Sequence, residues 1–138
     1  MIASNNIIKT VVIILLITNL TSCNKPAGPG GKATVKGKVY AYDFDNTQRY
    51  LLSKGYSPGE RVYICYGNST EIGNDVHTSS DGSFQFLYLN KGHYKVFVNS
   101  LDTSIKVKGN DTEIPVIKEF DITDVKQTIV LDDIIINK

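Results

Sequence analysis

Three things are scarce in this chain of 138 residues: charge of one sign, cysteine and long apolar runs. With 15 basic and 14 acidic residues the formal net charge is +1, so no strongly basic patch is expected for nucleic acid or for anionic lipid. The two cysteines, Cys23 and Cys65, cannot build a disulfide framework. The most apolar stretch, Thr10 to Leu20, is 11 residues long, whereas a helix needs roughly 20 to cross a bilayer core. No helical pattern is long enough to carry a crossover between parallel strands, which sets aside a βαβ domain, and no internal repeat is visible.

What the N-terminus does contain is an address. Lys9, the apolar run and then Leu20-Thr21-Ser22-Cys23 have the anatomy of a secretory signal, whose apolar region is typically about 7 to 15 residues long. The last four residues resemble the lipobox of bacterial lipoproteins. That resemblance implies cleavage before Cys23, a diacylglycerol on its sulfur and acylation of its amino group, which together anchor stably where one chain would be marginal. Residues 1–22 are thus expected to be a signal peptide. Residues 23–32, which include Asn24-Lys-Pro-Ala-Gly-Pro-Gly-Gly-Lys32, are expected to form a flexible tether. Residues 33–138 then make one small domain. Without Lys9 the mature chain carries 14 charges of each sign. With Cys23 lipidated, Cys65 has no partner, and its place in Arg61-Val-Tyr-Ile-Cys-Tyr66 suits a small buried hydrophobe.

Beyond Ala33 the pattern has a period of two. Val35, Val39 and Ala41 alternate with Lys36, Lys38, Tyr40 and Tyr42, as on a strand with one face against a core. Residues 44–60 break the alternation, and there Thr47 is placed to cap a short helix, Gln48 to Lys54, ended by Gly55. Ser57-Pro-Gly59 turns into a strand bearing Val62, Ile64 and Tyr66 on one face. Residues 70–79 form a weak edge strand, and Ser80-Asp-Gly-Ser83 signals a turn. Two apolar strands follow, Phe84 to Leu89 and His93 to Val98, joined by Asn90-Lys-Gly92. Ile114, Val116, Phe120 and Ile122 keep even register, with Pro115 best placed on an edge. In the final strand Ile129 and Leu131 are odd and Ile134 and Ile136 even, so one extra residue at Asp132-Asp133 keeps both pairs on the core. Short strands at this spacing indicate an all-β Greek-key sandwich.

Thr78 to Val98 resembles the signature of prealbumin-like modules, the carboxypeptidase regulatory-like domains and the Cna B-type repeats of bacterial surface proteins. The matching positions are Thr78, Asp81, Gly82, Phe84, Phe86, Leu89, Gly92, Tyr94 and Val96. Upstream, Gly37 and Val39, then Pro58, Gly59, Val62 and Ile64, fit the same pattern. The resemblance implies a seven-stranded, transthyretin-like sandwich serving as a spacer, adhesion or accessory binding unit, and it is nearly silent on chemistry.

The chemistry open to such folds is poorly supplied. Lys36 and Lys38 with Asn137, Asp132 or Asp133 offer the ends of an intramolecular isopeptide, but both lysines face outward and Phe84 to Val98 holds no acid. The ferric site of intradiol dioxygenases implies H-x-H, whereas His77 and His93 are 16 apart. The C-terminal Tyr-Arg-Gly-Ser of hydroxyisourate hydrolases is replaced by Ile-Asn-Lys138. Asp43, Asp45 and Asn46, even with Asn74 and Asp75, lack the closing glutamate of a calcium loop. No enzyme, cofactor or metal is therefore expected. The candidate ligand face is aromatic: Tyr40, Tyr42 and Phe44 lie opposite the core residues of their strand, and Tyr63 opposite Val62 and Ile64. If the two strands pair, the four rings form one outward stripe suited to a glycan or an envelope protein. By likeness to the lipoproteins of Gram-negative Bacteroidetes, with Asn24 after the cysteine, the expected place is the outer membrane. The absence of acidic residues after Lys25 favours a periplasmic facing.

Overall fold

The computed structural model describes residues 25–105, 108–109 and 111–138; the signal segment and Cys23 lie outside them. The described chain is all β, with nine strands: β1 (Pro29–Phe44), β2 (Leu51–Tyr56), β3 (Arg61–Tyr66), β4 (Ile72–His77), β5 (Ser83–Leu89), β6 (Gly92–Leu101), β7 (Glu113–Ile122), β8 (Thr128–Val130) and β9 (Ile134–Asn137). They form two sheets. One runs β4-β3-β6-β7 and the other is built around β1, flanked by β2, β5, β8 and β9.

The long strand β1 has composite neighbours. Its first half pairs antiparallel with β5 and parallel with β8, its second half antiparallel with β2 and parallel with β9. At Val39 one antiparallel neighbour gives way to the other: its N–H donates to the Gly82 carbonyl and its carbonyl accepts from the Ser57 N–H, both at 2.9 Å. The alternation of β1 then decides the packing. Ala33, Val35, Val39 and Ala41 are buried with Phe84, Phe86, Ile134 and Ile136 of the same sheet, against Val62, Ile64, Tyr94, Val96, Val98 and Ile122 of the other. That one contiguous core makes the two sheets a sandwich.

The expected bulge is present. Val35 pairs with Ile129 and Val39 with Ile134, so the partner offset grows by one residue between β8 and β9, and Ile134 and Ile136 stay fully buried. Pro115 lies on β7, at one edge of its sheet.

Three expectations are corrected. The helix at Gln48 to Lys54 does not form. The Asp45 carboxylate accepts from the backbone N–H groups of Arg49 and Tyr50 and from the Thr47 hydroxyl, so Thr47 spends its side chain on Asp45 and caps nothing. Gln48 takes φ 57°, a left-handed value no helix accepts, and β2 follows. Seven strands become nine, because β2 is added and the last strand divides at the bulge. Finally, β1 begins at Pro29, inside the segment expected to be tether. The Gly28 N–H donates to the Tyr94 hydroxyl at 2.9 Å, and the Asn90 side-chain amide donates to the carbonyls of Pro26 and Pro29. A Cβ at Gly31 would collide with the backbone of Leu89. A pattern of Pro and Gly marks the absence of helix and of side-chain packing; it does not forbid docking through the backbone.

Candidate functional site

The expected aromatic stripe divides between the two sheets. Tyr40, Tyr42 and Phe44 stand on the outward face of β1, whereas Tyr63 is on β3, in the other sheet. β1 and β3 do not pair, because β2 and β5 occupy one side of β1 and β8 and β9 the other. The four residues therefore do not share a face.

Each sheet instead has its own aromatic group. On the β1 sheet, Tyr40 lies edge-on to Tyr42, with ring centroids 5.6 Å apart, and to Tyr56 of β2, 5.3 Å apart. Edge-to-face contact sets the positive rim of one ring on the negative face of another, a favoured arrangement. Cross-strand register brings them together: Tyr40 faces Tyr56 on one side and Ile135 on the other. Phe44 lies past a register shift, opposite Leu51, and the ring pairs among the described residues join the three tyrosines without it. Polar groups rim the cluster. The Lys38 ammonium sits 4.7 Å from the Tyr56 ring centre and bonds Asp81 at 3.1 Å, and the Tyr56 hydroxyl donates to Asp133 at 3.1 Å. The Asp133 carboxylate, as acceptor and as nearby negative charge, pushes the Tyr56 hydroxyl above its usual pKa, so that ring stays neutral at ordinary pH.

On the opposite sheet Tyr63 stacks on Phe97 of β6 with centroids 4.9 Å apart. Arg61 lies over the Tyr63 ring and grips Asp75 through two hydrogen bonds. Neither Tyr56 nor Phe97 was among the residues singled out in the sequence. Tyr56 was hidden because residues 44–60 show no alternation to announce a strand. Phe97 follows the period-two rule on β6, opposite Val96 and Val98, and was legible.

The groups that could do chemistry are otherwise engaged. Cys65 is buried on β3. Burial pushes its thiol pKa up, against a smaller opposing pull from Lys95, which disfavours the thiolate that a nucleophile needs. His93 meets Asp121 at 2.9 Å on the β6–β7 ladder, while His77 is on β4 opposite Arg61. Lys38 is paired with Asp81, and the Asn137 side chain reaches Thr103. Asp43 meets Ser53, Asp45 is saturated by its own loop and Asp75 is held by Arg61. Among the described residues no three His, Cys, Asp or Glu side chains converge as a metal cage would.

An all-β sandwich with two aromatic outer faces is thus the class of molecule that the geometry defines. No protein-family model matches the chain, and no curated protein matches it. Among solved structures, a proposed carbohydrate-binding protein from Pseudomonas aeruginosa is similar at 12% identity and a TM-score of 0.47, over 80% of this chain and 92% of that one.

Proposed function

We propose that this chain is a lipid-anchored envelope protein whose sandwich serves as an accessory binding module without chemistry of its own, and that it takes its ligand on the face of Tyr40, Tyr42 and Tyr56. The observation that carries this reading is the tyrosine cluster itself: three rings on an open sheet face, edged by Lys38, Asp81 and Asp133. Flat apolar rings beside charged hydrogen-bonding groups suit a sugar, whose C–H faces stack while its hydroxyls find polar partners. A glycan is therefore the favoured ligand class, with an envelope protein second, and nucleic acid is disfavoured by the balanced charge. The anchor is supplied by the lipobox-like Leu20 to Cys23 and the expected place is the outer membrane; both come from the sequence.

The test is capture of the purified full chain on a panel of immobilised envelope and host glycans. Changing Tyr40 and Tyr42 together to alanine is expected to weaken binding about tenfold or more, since 1.4 kcal/mol is a factor of ten and a ring contact is on the order of 1 kcal/mol. Tyr63→Ala, on the far sheet, should leave it unchanged. Equal binding by the tyrosine double variant, with its fold intact by circular dichroism, would end the assignment.

A further inference from the structure

We infer that the end of the sandwich nearest the N-terminus is a second membrane contact, a docking surface for the anionic headgroups of a phospholipid bilayer. The inference rests on lipid attachment at Cys23. Its first support is distance. The described chain is hydrogen-bonded to the body of the domain from Pro26 onward, through Asn90, and Gly28 is buried and held by Tyr94. Only Asn24 and Lys25 separate a lipid on Cys23 from that fixed segment, and three residues reach at most about 10 Å when extended. An anchored domain must then lie against the bilayer with this end down.

The second support is charge. A recess of about 300 Å³ at this end is lined by Lys25, Lys32 and Lys91 with Gly30, Gly31, Leu89, Asn90 and Val125, and holds no acidic side chain. Among the described residues no ion pair engages any of the three lysines. Lys25 and Lys91 also border the neighbouring recess, whose one carboxylate, Asp121, meets a His93 ring nitrogen at 2.9 Å. Asp124 and Lys126 flank Val125 and offset each other. Like charges gathered without partners at one end are costly unless something negative meets them, and lysines near an anionic leaflet are drawn to it. The formal neutrality of the whole chain conceals this gathering.

The third support is apolar. Val125 is 57% exposed and Tyr88, next to Leu89, is 68% exposed. Tyr88 holds φ 61°, a conformation uncommon for any residue but glycine or asparagine. A strained, exposed aromatic one residue before Leu89 of the lysine-lined recess has the make-up of an interfacial anchor, with the ring at headgroup level and the ammonium groups on phosphate.

The test uses the full lipidated protein reconstituted in vesicles of phosphatidylglycerol or of phosphatidylcholine, with amine-reactive labelling read by mass spectrometry. Labelling of Lys32 and Lys91 is expected to fall several-fold on phosphatidylglycerol relative to phosphatidylcholine and to recover in high salt, while Lys54, on β2, and Lys138 stay constant. Lys91→Glu should restore labelling at Lys32. Equal labelling on both lipids, or protection that salt leaves untouched, overturns the docking surface while the lipid anchor stands. An intact mass without acyl chains and no vesicle association would instead remove the anchor, and the docking surface with it.

Discussion

Asp81 shows how much one short side chain settles. Its carboxylate accepts from the Ser83 hydroxyl and N–H and from Lys38, which closes the turn into β5 and holds its pKa at about 2, with the Ser83 hydroxyl bond the largest cause. Asp45 is held at about 2 by the Thr47 hydroxyl above all, then by the backbone of Tyr50. Both folded values lie below the unfolded one, so each group contributes stability above about pH 4 that is lost as pH falls toward 2. Chemical denaturation at pH 5, 4, 3 and 2 should show stability dropping through that window, and Asp81→Asn should flatten the drop while lowering stability at pH 5. Because Asp81 is exposed, its share is small. Thr78 is the buried counterpart: its hydroxyl donates to the Ser57 carbonyl and accepts from the Glu60 N–H. A motif position readable as a signature in the sequence is thus a cross-link between two loops, which spacing alone does not reveal.

At the scale of elements, period two carried the reading a long way. The core residues of β1 and β6 lie where alternation puts them, as do Val62 and Ile64 of β3 and Phe84 and Phe86 of β5, while Cys65 and Leu89 are buried out of period; the change of parity from Ile129 to Ile134 announced the bulge. Alternation failed at β2, whose Leu51, Leu52, Ser53 and Lys54 are all exposed; a strand that buries nothing leaves no apolar period to read. It failed again for the tyrosines, because the face a ring occupies follows from its own strand, but the company it keeps depends on which strands pair. The bulge offers the sharpest check. Inserting one residue after Asp133 adds to the extra residue already there, and β9 pairing past the same one-residue bulge would then turn Ile134 and Ile136 outward. Burial of the two is expected to be lost at a cost of several kcal/mol, since truncating one buried isoleucine to alanine already costs about 2–5 kcal/mol. Loss of a cooperative thermal transition is the outcome to look for, and an unchanged melting temperature would mean that the register of β9 is not what holds it.

At the scale of the whole molecule, one buried hydroxyl helps to fasten the N-terminal segment to the rest of the sandwich. The oxygen of buried Tyr94 accepts from the Gly28 N–H, and its proton goes to the Asn90 carbonyl at 2.7 Å. Tyr94→Phe keeps the ring stacked on Phe120 but leaves a buried donor and acceptor without that partner, a loss of about 1–3 kcal/mol. Amide exchange at Gly28 should accelerate more than exchange in β3. If it does not, residues 26–32 are held by backbone pairing with β5 and by the Asn90 side chain, without need of the hydroxyl. The aromatic and glycine positions involved were visible in the sequence, but the 66-residue separation between Gly28 and Tyr94 was not.

The central strand of one sheet comes first in chain order among the described strands, and its second flank is supplied by residues 128–137. Until those residues arrive, Val35, Val39 and Ala41 have an open ladder beside them, and a free edge of this kind recruits strands from other chains. The fold therefore closes last where it began first. A nascent chain stays open along this flank until residues 128–137 have joined it. A chain stalled before Thr128 is an aggregation hazard rather than a smaller version of the same protein.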